Sequence, residues 1–267
     1  MTSLDPAAVV AASNAWVWYP PDAEVVRTDD FLLIRFPDTF PQPLQVVRMT
    51  PSTDLAAALD GALAEASRFG LPHVEVWVRM DAPEGLDALL AGRGGVPEET
   101  LDVLALDLTA GVPDLGQVSA PAEVEVRWQT DVATAREAAA VWVDVFGGAV
   151  PDDAEIARRA AASAESFARG EEAVAVASVE GRAAGHGGVS VVDGVARLWD
   201  GGVRADARRR GVYRAVLRAR LAWAVEQGAT MALVKGRVET SGPILRRAGF
   251  AVFGQERSYL LPLPSQE

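Results

Sequence analysis

The stretch LWDGGVRADARRRGVYRAVLRARLAWAVEQGA, residues 198–229, decides the fold. It continues a strand predicted at 194–203, passes through an arginine-glycine turn, and carries apolar side chains at helical spacing over 209–227. Gly228 ends that helix. The N-terminus of a helix exposes unpaired N–H groups and a partial positive charge, and glycine at 211 allows close approach to the backbone. The stretch therefore predicts a strand–turn–helix unit that can bind a bulky phosphate group.

Positive charge is concentrated in this stretch of an otherwise acidic chain. The net charge of the 267 residues is −12, yet residues 204–220 hold seven arginines against Asp206 alone. Either a solvated helix face or a site for a ligand with several phosphates would explain it. The acidic total argues against nucleic-acid binding, which usually needs an extended positive surface. We expect Arg214, Arg218 and Arg220 to be solvated or ion-paired on the helix surface.

The composition of the chain excludes several classes of protein. Apolar residues make up 49% and charged residues 23%, as in a globular protein with room for one large domain or two. The chain has no cysteine, and His73 and His186 lie in separate halves, so we predict no disulfide and no metal site. No apolar run approaches the ~18 residues of a membrane span, and the N-terminus does not resemble a secretory signal. We therefore expect a cytoplasmic protein with no membrane segment.

The half of the chain around the opening stretch alternates between strands and helices. The turn pairs Glu180-Gly181 and Asp193-Gly194 predict two consecutive hairpins. The predicted strands are 123–128, 172–180, 182–193, 194–203, 230–236 and closing strands in 250–263; the predicted helices are 130–146, 151–170, 209–227 and 241–249.

The first half follows a similar order. Its predicted strands are 31–36, 44–49, 73–80 and 100–108, and its predicted helices are 52–70 and 83–92. Gly70 aligns with Gly228, and Pro83 aligns with Pro243, at nearly the same separation. We interpret this as a degenerate internal repeat, with chance alternation of helices and strands as the alternative. The predicted domains are 1–112 and 123–267, joined by a linker at 113–122.

The turn in the opening stretch resembles a family signature. Arg208-Arg209-Arg210-Gly211-Val212-Tyr213 resembles the pyrophosphate-binding motif Gln/Arg-x-x-Gly-x-Gly/Ala of the GNAT superfamily, the acyl-CoA-dependent N-acyltransferases. Val203-Arg204-Ala205 precedes it where the family usually has Val-x-Pro. The resemblance runs from about 123 to 263 and includes Gly249-Phe250, which opens a strand in the family. Tyr213 in place of the final small residue and Ala205 in place of proline are departures from the pattern.

This resemblance implies a fold and an activity. The fold class is α/β (α+β), with two GNAT-like domains, each a mixed, largely antiparallel sheet flanked by helices. Acetyl-CoA or another acyl-CoA would be the co-substrate, bound by Val203 and residues 208–213, with the Val203 amide polarising the thioester carbonyl. The acyl group would pass by direct attack to a small-molecule or peptide amine. The first domain has no Arg-x-x-Gly motif, and Asp54 would repel phosphate, so we expect no CoA site there. A homodimer is compatible with the sequence.

The catalytic residues are less clearly indicated. Asp200 is the first candidate for the general base, and an exposed turn carboxylate is the alternative. Glu239 could border the acceptor cleft or be a surface residue, and His186 could be a base, a hydrogen-bond donor to the acceptor or a structural residue. Many members of the family carry a tyrosine acid where this chain has Leu245. A non-catalytic acyl-CoA-binding or regulatory protein is therefore the alternative function.

Overall fold

The computed structural model describes residues 4–38, 40–51, 54–116 and 123–264. The helices within these ranges are α1 (Pro6–Ala15), α2 (Leu55–Ser67), α3 (Leu86–Gly92), α4 (Val132–Phe146), α5 (Asp153–Ala168), α6 (Val212–Glu226) and α7 (Ser241–Arg247). The strands are β1 (Glu24–Arg27), β2 (Phe31–Arg35), β3 (Leu44–Met49), β4 (His73–Val78), β5 (Val96–Asp107), β6 (Val124–Trp128), β7 (Glu172–Val179), β8 (Arg182–Val192), β9 (Val195–Val203), β10 (Met231–Arg237) and β11 (Ala251–Pro262).

The chain divides into two compact units, each built from separate segments. Unit 1 comprises Met1–Asp5, Leu104–Lys235 and Pro243–Val252, and unit 2 comprises Pro6–Val103, Gly236–Gly242 and Phe253–Glu267. The division thus assigns part of β5 to unit 1 and most of β11 to unit 2. The domain boundaries expected at 112 and 123 stay a prediction, and residues 117–122 of the linker lie outside the described ranges.

Unit 1 contains a mixed sheet in the order β10-β9-β8-β7-β6. The neighbouring strands run antiparallel except β9 and β10, which are parallel and are connected through α6. The predicted hairpins are confirmed: both residues of each turn have positive φ, 54° and 74° at Glu180-Gly181 and 51° and 73° at Asp193-Gly194. Such turns match the twist of the paired strands. They fix the register that positions β9.

Helix α6 covers this sheet with the apolar stripe expected from its sequence. Leu217, Leu221 and Trp223 are buried in one core cluster, and Val212 and Val216 are buried in a second. The helix begins at Val212 rather than at 209, because Gly211 adopts a left-handed conformation (φ 90°) that a helix interior does not allow.

Unit 2 contains the sheet order β1-β2-β3-β4-β11. Here β3 and β4 are parallel, pairing Gln45 with Glu75 and Val46 with Val76, whereas β4 and β11 are antiparallel. Asp54 caps α2: its side chain accepts hydrogen bonds from the N–H groups of Ala56 (2.8 Å) and Ala57 (3.2 Å). The Asp54 carboxylate therefore occupies the N-terminus of α2, where the sequence predicted that a phosphate would be repelled.

Two elements of unit 2 were not expected from the sequence. Helix α1 buries only Val9 and Ser13, and therefore has no apolar stripe that reveals a helix. Its C-terminal carbonyl groups accept hydrogen bonds from arginine side chains: Arg48 donates to Asn14, and Arg79 donates to Ser13. Strand β1 has four residues at the edge of the sheet and is largely exposed, so its alternation is too short to detect.

The order of strand, long helix, parallel strand and short helix occurs twice along the chain. The first series is β3-α2-β4-α3, and the second is β9-α6-β10-α7. Gly70 (φ 68°) and Gly228 (φ 84°), which were aligned in the sequence, both follow the long helix in a left-handed conformation. The predicted repeat therefore has a structural counterpart.

Close packing at the β8–β9 pair gives a test of the fold. A Cβ atom on Gly188 would lie 2.2 Å from the Trp199 indole, so Gly188→Ala must displace a partly buried ring. We expect the substitution to lower the free energy of unfolding by about 1–3 kcal/mol, measured by urea denaturation. Gly92→Ala is the control, because a Cβ there has no heavy atom within 4 Å and alanine favours a helix. Equal effects of the two substitutions would contradict the described packing.

Candidate active site

Strands β9 and β10 part in the middle of their length. Their register runs from Val195 with Met231 to Leu198 with Val234, although β9 continues to Val203. Backbone N–H and C=O groups of separated strands need other partners. The pairing of β9 with β10 therefore ends at Leu198, and we call the unpaired edge of β9 from Trp199 to Val203 the gap.

The other edge of β9 carries a β-bulge at the same level. His186 of β8 pairs with Gly202 and Gly188 pairs with Trp199, so Gly187 alone faces Asp200 and Gly201. Asp200 has φ 48°, which is uncommon for a residue with a side chain. Bulges redirect side chains and are frequent beside active sites. Here the bulge redirects the Asp200 carboxylate.

The amide of Val203 points away from β8. The Arg204 N–H donates a hydrogen bond to the Ala184 carbonyl at 2.9 Å. In an antiparallel pair, residues that exchange hydrogen bonds alternate with residues whose polar groups point outward. The Val203 N–H is therefore directed toward the gap, as required of the carbonyl donor proposed from the sequence.

The arginine-glycine loop, residues 204–211, joins β9 to α6. Arg209 (φ 62°) and Gly211 (φ 90°) are both left-handed, on either side of Arg210, and such alternation turns successive N–H groups to one side. The first helical hydrogen bond runs from the Ala215 N–H to the Gly211 carbonyl at 3.0 Å. The N–H groups at 212–214 precede it and have no acceptor within the helix. The loop and the first turn of α6 thus form a row of backbone donors.

The arginine side chains of the loop have different roles. The Arg208 Nε donates to the Val203 carbonyl at 3.3 Å and ties the loop to the end of β9. Arg210 forms an ion pair with Glu180 at 2.5 Å, in the β7–β8 turn. Arg209 is exposed. Among Arg208, Arg209 and Arg210, Arg209 is thus the most available to an anion.

Arg220 is not on the helix surface. It is 1% exposed, and its Nη1 donates to the carbonyls of Gly188 (3.1 Å) and Trp199 (3.3 Å). The expectation that Arg220 is solvated or ion-paired was wrong, because it follows Val216 by four residues and shares the buried face of α6. Arg218, by contrast, is exposed as expected.

The Arg220 guanidinium also lies next to the Tyr213 side chain, since a Cβ atom on Gly201 would contact both groups. Desolvation lowers the pKa of Arg220, and the neighbouring Tyr213 and Asp200 oppose this effect. The ring of Tyr213 lies beside the bulge, since a Cβ on Gly201 would be 3.4 Å from its Cε2. Tyr213 therefore lies beside Arg220 at the bulge and is not a free side chain in the phosphate loop.

Asp200 is exposed and has a defined partner. Its Oδ2 accepts a hydrogen bond from the indole Nε1 of Trp142 on α4 at 3.1 Å. Desolvation by surrounding protein raises the pKa of the Asp200 carboxyl, while the Trp142 bond and the charge of Arg220 act in the opposite direction. A carboxylate with a raised pKa is a better proton acceptor near neutral pH.

His186 lies on β8 and is 4% exposed. Its ring meets Phe146 edge-on, with 6.0 Å between ring centroids. Desolvation and the nearby charge of Arg220 lower its pKa to about 4. Within the described part of the chain, its Nε2 is buried without a hydrogen-bond partner. His186 is therefore a neutral side chain at physiological pH and a weak base.

The remaining sequence candidates lie elsewhere. Leu245 is 1% exposed and packs in the core of unit 1, so no polar group occupies the position of the family's tyrosine. Glu239 is exposed and belongs to unit 2. We therefore build the site from the residues of unit 1, among which the structure brings together Asp200, His186 and the loop.

Sequence reasoning missed two contributors to this site. Arg220 could have been found, because it lies seven residues after Tyr213 and four after Val216 on one face of α6. Trp142 gave no comparable signal, since its bond to Asp200 joins residues 58 positions apart.

The described residues contain no group of three or more metal-ligating side chains. None of their helices has the length and apolar composition needed to cross a bilayer.

Comparison with a sequence model of the Acetyltransferase (GNAT) family gives a match over residues 138–249. The match includes the bulged strand, the arginine-glycine loop and α6. Members of this family use acyl-CoA. No curated protein matches the sequence.

Solved structures share the fold over nearly the whole chain. A GCN5-related N-acetyltransferase from Kribbella flavida is 16% identical, with a TM-score of 0.65, covering 91% of this chain and 90% of its own. A GCN5-related N-acetyltransferase from Sphaerobacter thermophilus is 17% identical, with a TM-score of 0.63 and coverages of 90% and 82%. A tandem GNAT protein from the clavulanic acid biosynthesis pathway is 16% identical, with a TM-score of 0.64 and coverages of 94% and 86%.

At these identities the likeness establishes the fold. The predicted class is confirmed: a mixed α/β structure with largely antiparallel strands, like that of tandem GNAT proteins. Residues 138–249 are a domain of the Acetyltransferase (GNAT) family.

Proposed function

We propose that unit 1 binds acetyl-CoA or another acyl-CoA and transfers the acyl group to an amine by direct attack. The observation that carries this proposal is the opening between β9 and β10 beside the uncapped N-terminus of α6. The family match at 138–249 supports it. The acyl donor supplies an activated thioester, and the residues of the chain bind, orient and move protons.

The residues of the loop fit a pyrophosphate group. Backbone N–H groups at 209–213 form the donor row described above, with Arg208 and Arg209 adding positive charge. Tyr213 does not remove these donors, because its side chain turns toward Arg220. The outward Val203 amide would polarise the thioester carbonyl and stabilise the charge that develops on it.

Asp200 is the proposed general base. Its carboxylate is exposed and lies at the bulge, and its pKa is raised, so it can take a proton from the incoming ammonium group directly or through water. The bond from Trp142 leaves one carboxylate oxygen free for this role. Phe146 and neutral His186 would border the acceptor. Glu239 stays a candidate from the sequence alone.

The acidic chain, with its net charge of −12, favours a cationic acceptor such as a small-molecule or peptide amine. We also propose a cytoplasmic location and a homodimer.

The alternative is an acyl-CoA-binding protein without catalysis. Buried Leu245 favours it, because the chain lacks the family's usual acid at that position. Thiol release from acetyl-CoA with a broad panel of amines separates the two functions. Binding without turnover would support the alternative.

Gly211→Glu tests the phosphate site. A carboxylate at the open end of α6 would occupy and repel the site, so we expect the affinity for acetyl-CoA, measured by calorimetry, to fall at least tenfold. Gly228→Glu is the matched control, because it adds the same charge and the same left-handed strain (φ 84° against 90°) at the other end of α6. Equal losses, or no binding by the wild type at millimolar ligand, would contradict the site.

Asp200→Asn tests the base. We expect acetyl-CoA affinity to be retained and the turnover number to fall by a factor on the order of 10²–10⁴, since the amide cannot accept the proton. Asp193→Asn is the control, because Asp193 shares the left-handed backbone (φ 51° against 48°) but lies at the distant hairpin turn. An Asp200→Asn enzyme with wild-type turnover would refute the assignment.

The neutral state of His186 predicts a pH dependence of stability. Below pH 6.5 the unfolded chain protonates this ring, whereas the folded chain resists protonation until pH approaches 4. The free energy of unfolding should therefore decrease as pH falls through this window, by up to about 3 kcal/mol. Urea unfolding at pH 7.5 and 4.5 should show a smaller loss for His186→Gln, whereas His73→Gln, at an exposed position, should behave as wild type. An unchanged loss in His186→Gln would contradict the burial of a neutral ring.

A further inference from the structure

We propose that the acceptor is an aralkylamine, in which a short alkyl chain joins a primary ammonium group to an aromatic ring, and that Trp142 and Phe146 bind this ring. The inference deepens the proposed function, on which it rests, because it names the class of acceptor. It is carried by two aromatic side chains of α4 that contact residues of the gap, one of them beside the Asp200 carboxylate.

The two rings reach the gap at neighbouring points of β9. The Trp142 Nε1 donates to the Asp200 Oδ2 at 3.1 Å. Gly202 lies two residues farther along β9, and a Cβ atom there would be 3.2 Å from both Cε2 and Cζ of Phe146. The Phe146 ring therefore packs directly on the backbone of the gap. Trp142 and Phe146 are four residues apart on α4, so both rings cover the gap from the face of the sheet on which this helix lies.

The surface changes from charged to apolar over a short distance. The Asp200 carboxylate is exposed at one end, and the Phe146 side chain, 40% exposed, is at the other. The partly buried indole of Trp142 lies between them, with its ring centroid 5.9 Å from that of Phe146 and the two ring planes inclined by 46°. A short alkyl chain is enough to span one indole ring. An ammonium group at Asp200 can therefore carry an aromatic ring that contacts Phe146, and the Trp142 ring can attract the cation.

The loop between α4 and α5 extends this apolar surface. Residues 147–151 read Gly-Gly-Ala-Val-Pro, so none of their side chains carries a charge or a hydrogen-bonding group. Val150 is 71% exposed. A Cβ atom on Gly148 would lie 3.1 Å from the Cζ3 of Trp142, so the loop lies against the indole ring. The surface beside the carboxylate thus fits an apolar body.

The neighbouring polar groups do not favour an acceptor with several charges. Asp144, also on α4, is paired with Arg204 at 3.4 Å. His186 meets the Phe146 ring edge-on and is neutral, because desolvation lowers its pKa to about 4. The further ammonium groups of a polyamine, or the hydroxyl groups of an amino sugar, would lose water against the apolar loop without gaining a partner from its side chains. A single ammonium group with an aromatic body avoids this cost.

The amine preference of the wild-type protein is the first test. We expect kcat/KM for 2-phenylethylamine, measured as thiol release from acetyl-CoA, to exceed the values for ethylamine and spermidine at least tenfold, because neither of these places a ring against Phe146. The matched control is 2-cyclohexylethylamine, which has a similar apolar body without an aromatic ring. It should be slower than 2-phenylethylamine by about threefold or more, since it cannot form aromatic pairs.

Phe146→Ala removes the ring that meets the ligand. We expect the ratio of kcat/KM for 2-phenylethylamine to that for ethylamine to fall about tenfold, mainly through a higher KM for 2-phenylethylamine. Phe146→Leu replaces the ring by an aliphatic side chain and should abolish the preference for 2-phenylethylamine over 2-cyclohexylethylamine. Val132→Ala is the control, because Val132 is exposed to a similar degree (45%) at the other end of α4.

The possible failures are distinguishable. A wild-type protein that releases no thiol with any amine overturns the proposed function and this inference with it. An active wild type that uses ethylamine, spermidine or 2-cyclohexylethylamine as well as 2-phenylethylamine overturns the inference alone. An unchanged preference in Phe146→Ala, or an equal change in Val132→Ala, also overturns it, as does a loss of acetyl-CoA affinity in calorimetry that accounts for the whole effect. If Phe146→Ala fails to fold, Phe146→Leu decides the question.

Discussion

The guanidinium of Arg220 is buried beneath the bulge of β9, and the strands around it are arranged to accommodate it. Removing such a charge from water costs several kcal/mol unless its donors find acceptors. Carbonyls of Gly188 and Trp199 are among those acceptors, at the point where the bulge interrupts regular pairing. Space is equally necessary, since a Cβ on Gly187 would lie 2.8 Å from the Nη1 of Arg220, and one on Gly201 would lie 3.2 Å from its Nη2. The space that the Arg220 side chain needs thus explains why Gly187 and Gly201 lack side chains.

The same cation connects the candidate site electrostatically. It adds to the desolvation that lowers the pKa of His186, moderates the raised pKa of Asp200, and lies next to Tyr213. These three side chains come from two strands and a helix. Their properties therefore depend on one residue that touches no proposed substrate.

The sequence predicted the repeated order of elements because local rules govern it. Glycine and aspartate at the hairpin turns, glycine after the long helices and the stripe of α6 all act within a few residues. It did not predict the pairing of β11 with β4, because the two strands are far apart in the chain. The hydrogen bond from Trp142 to Asp200 and the burial of Arg220 likewise depend on tertiary contacts that local sequence patterns do not reveal. The spacing of arginine and glycine in the sequence predicted the arginine-glycine loop. The contacts of Tyr213, in contrast, depend on tertiary packing.

The two long helices differ in how their N-termini are satisfied. In unit 2, Asp54 supplies the negative group for α2 permanently, so that helix end is complete in the isolated chain. In unit 1, Gly211 offers no side chain, and the first N–H groups of α6 remain open. A ligand that fills such an opening adds its binding free energy to folding, about 2.7 kcal/mol at a hundredfold excess over its dissociation constant. Resistance of unit 1 to heat and proteolysis would then follow the cellular supply of its ligand.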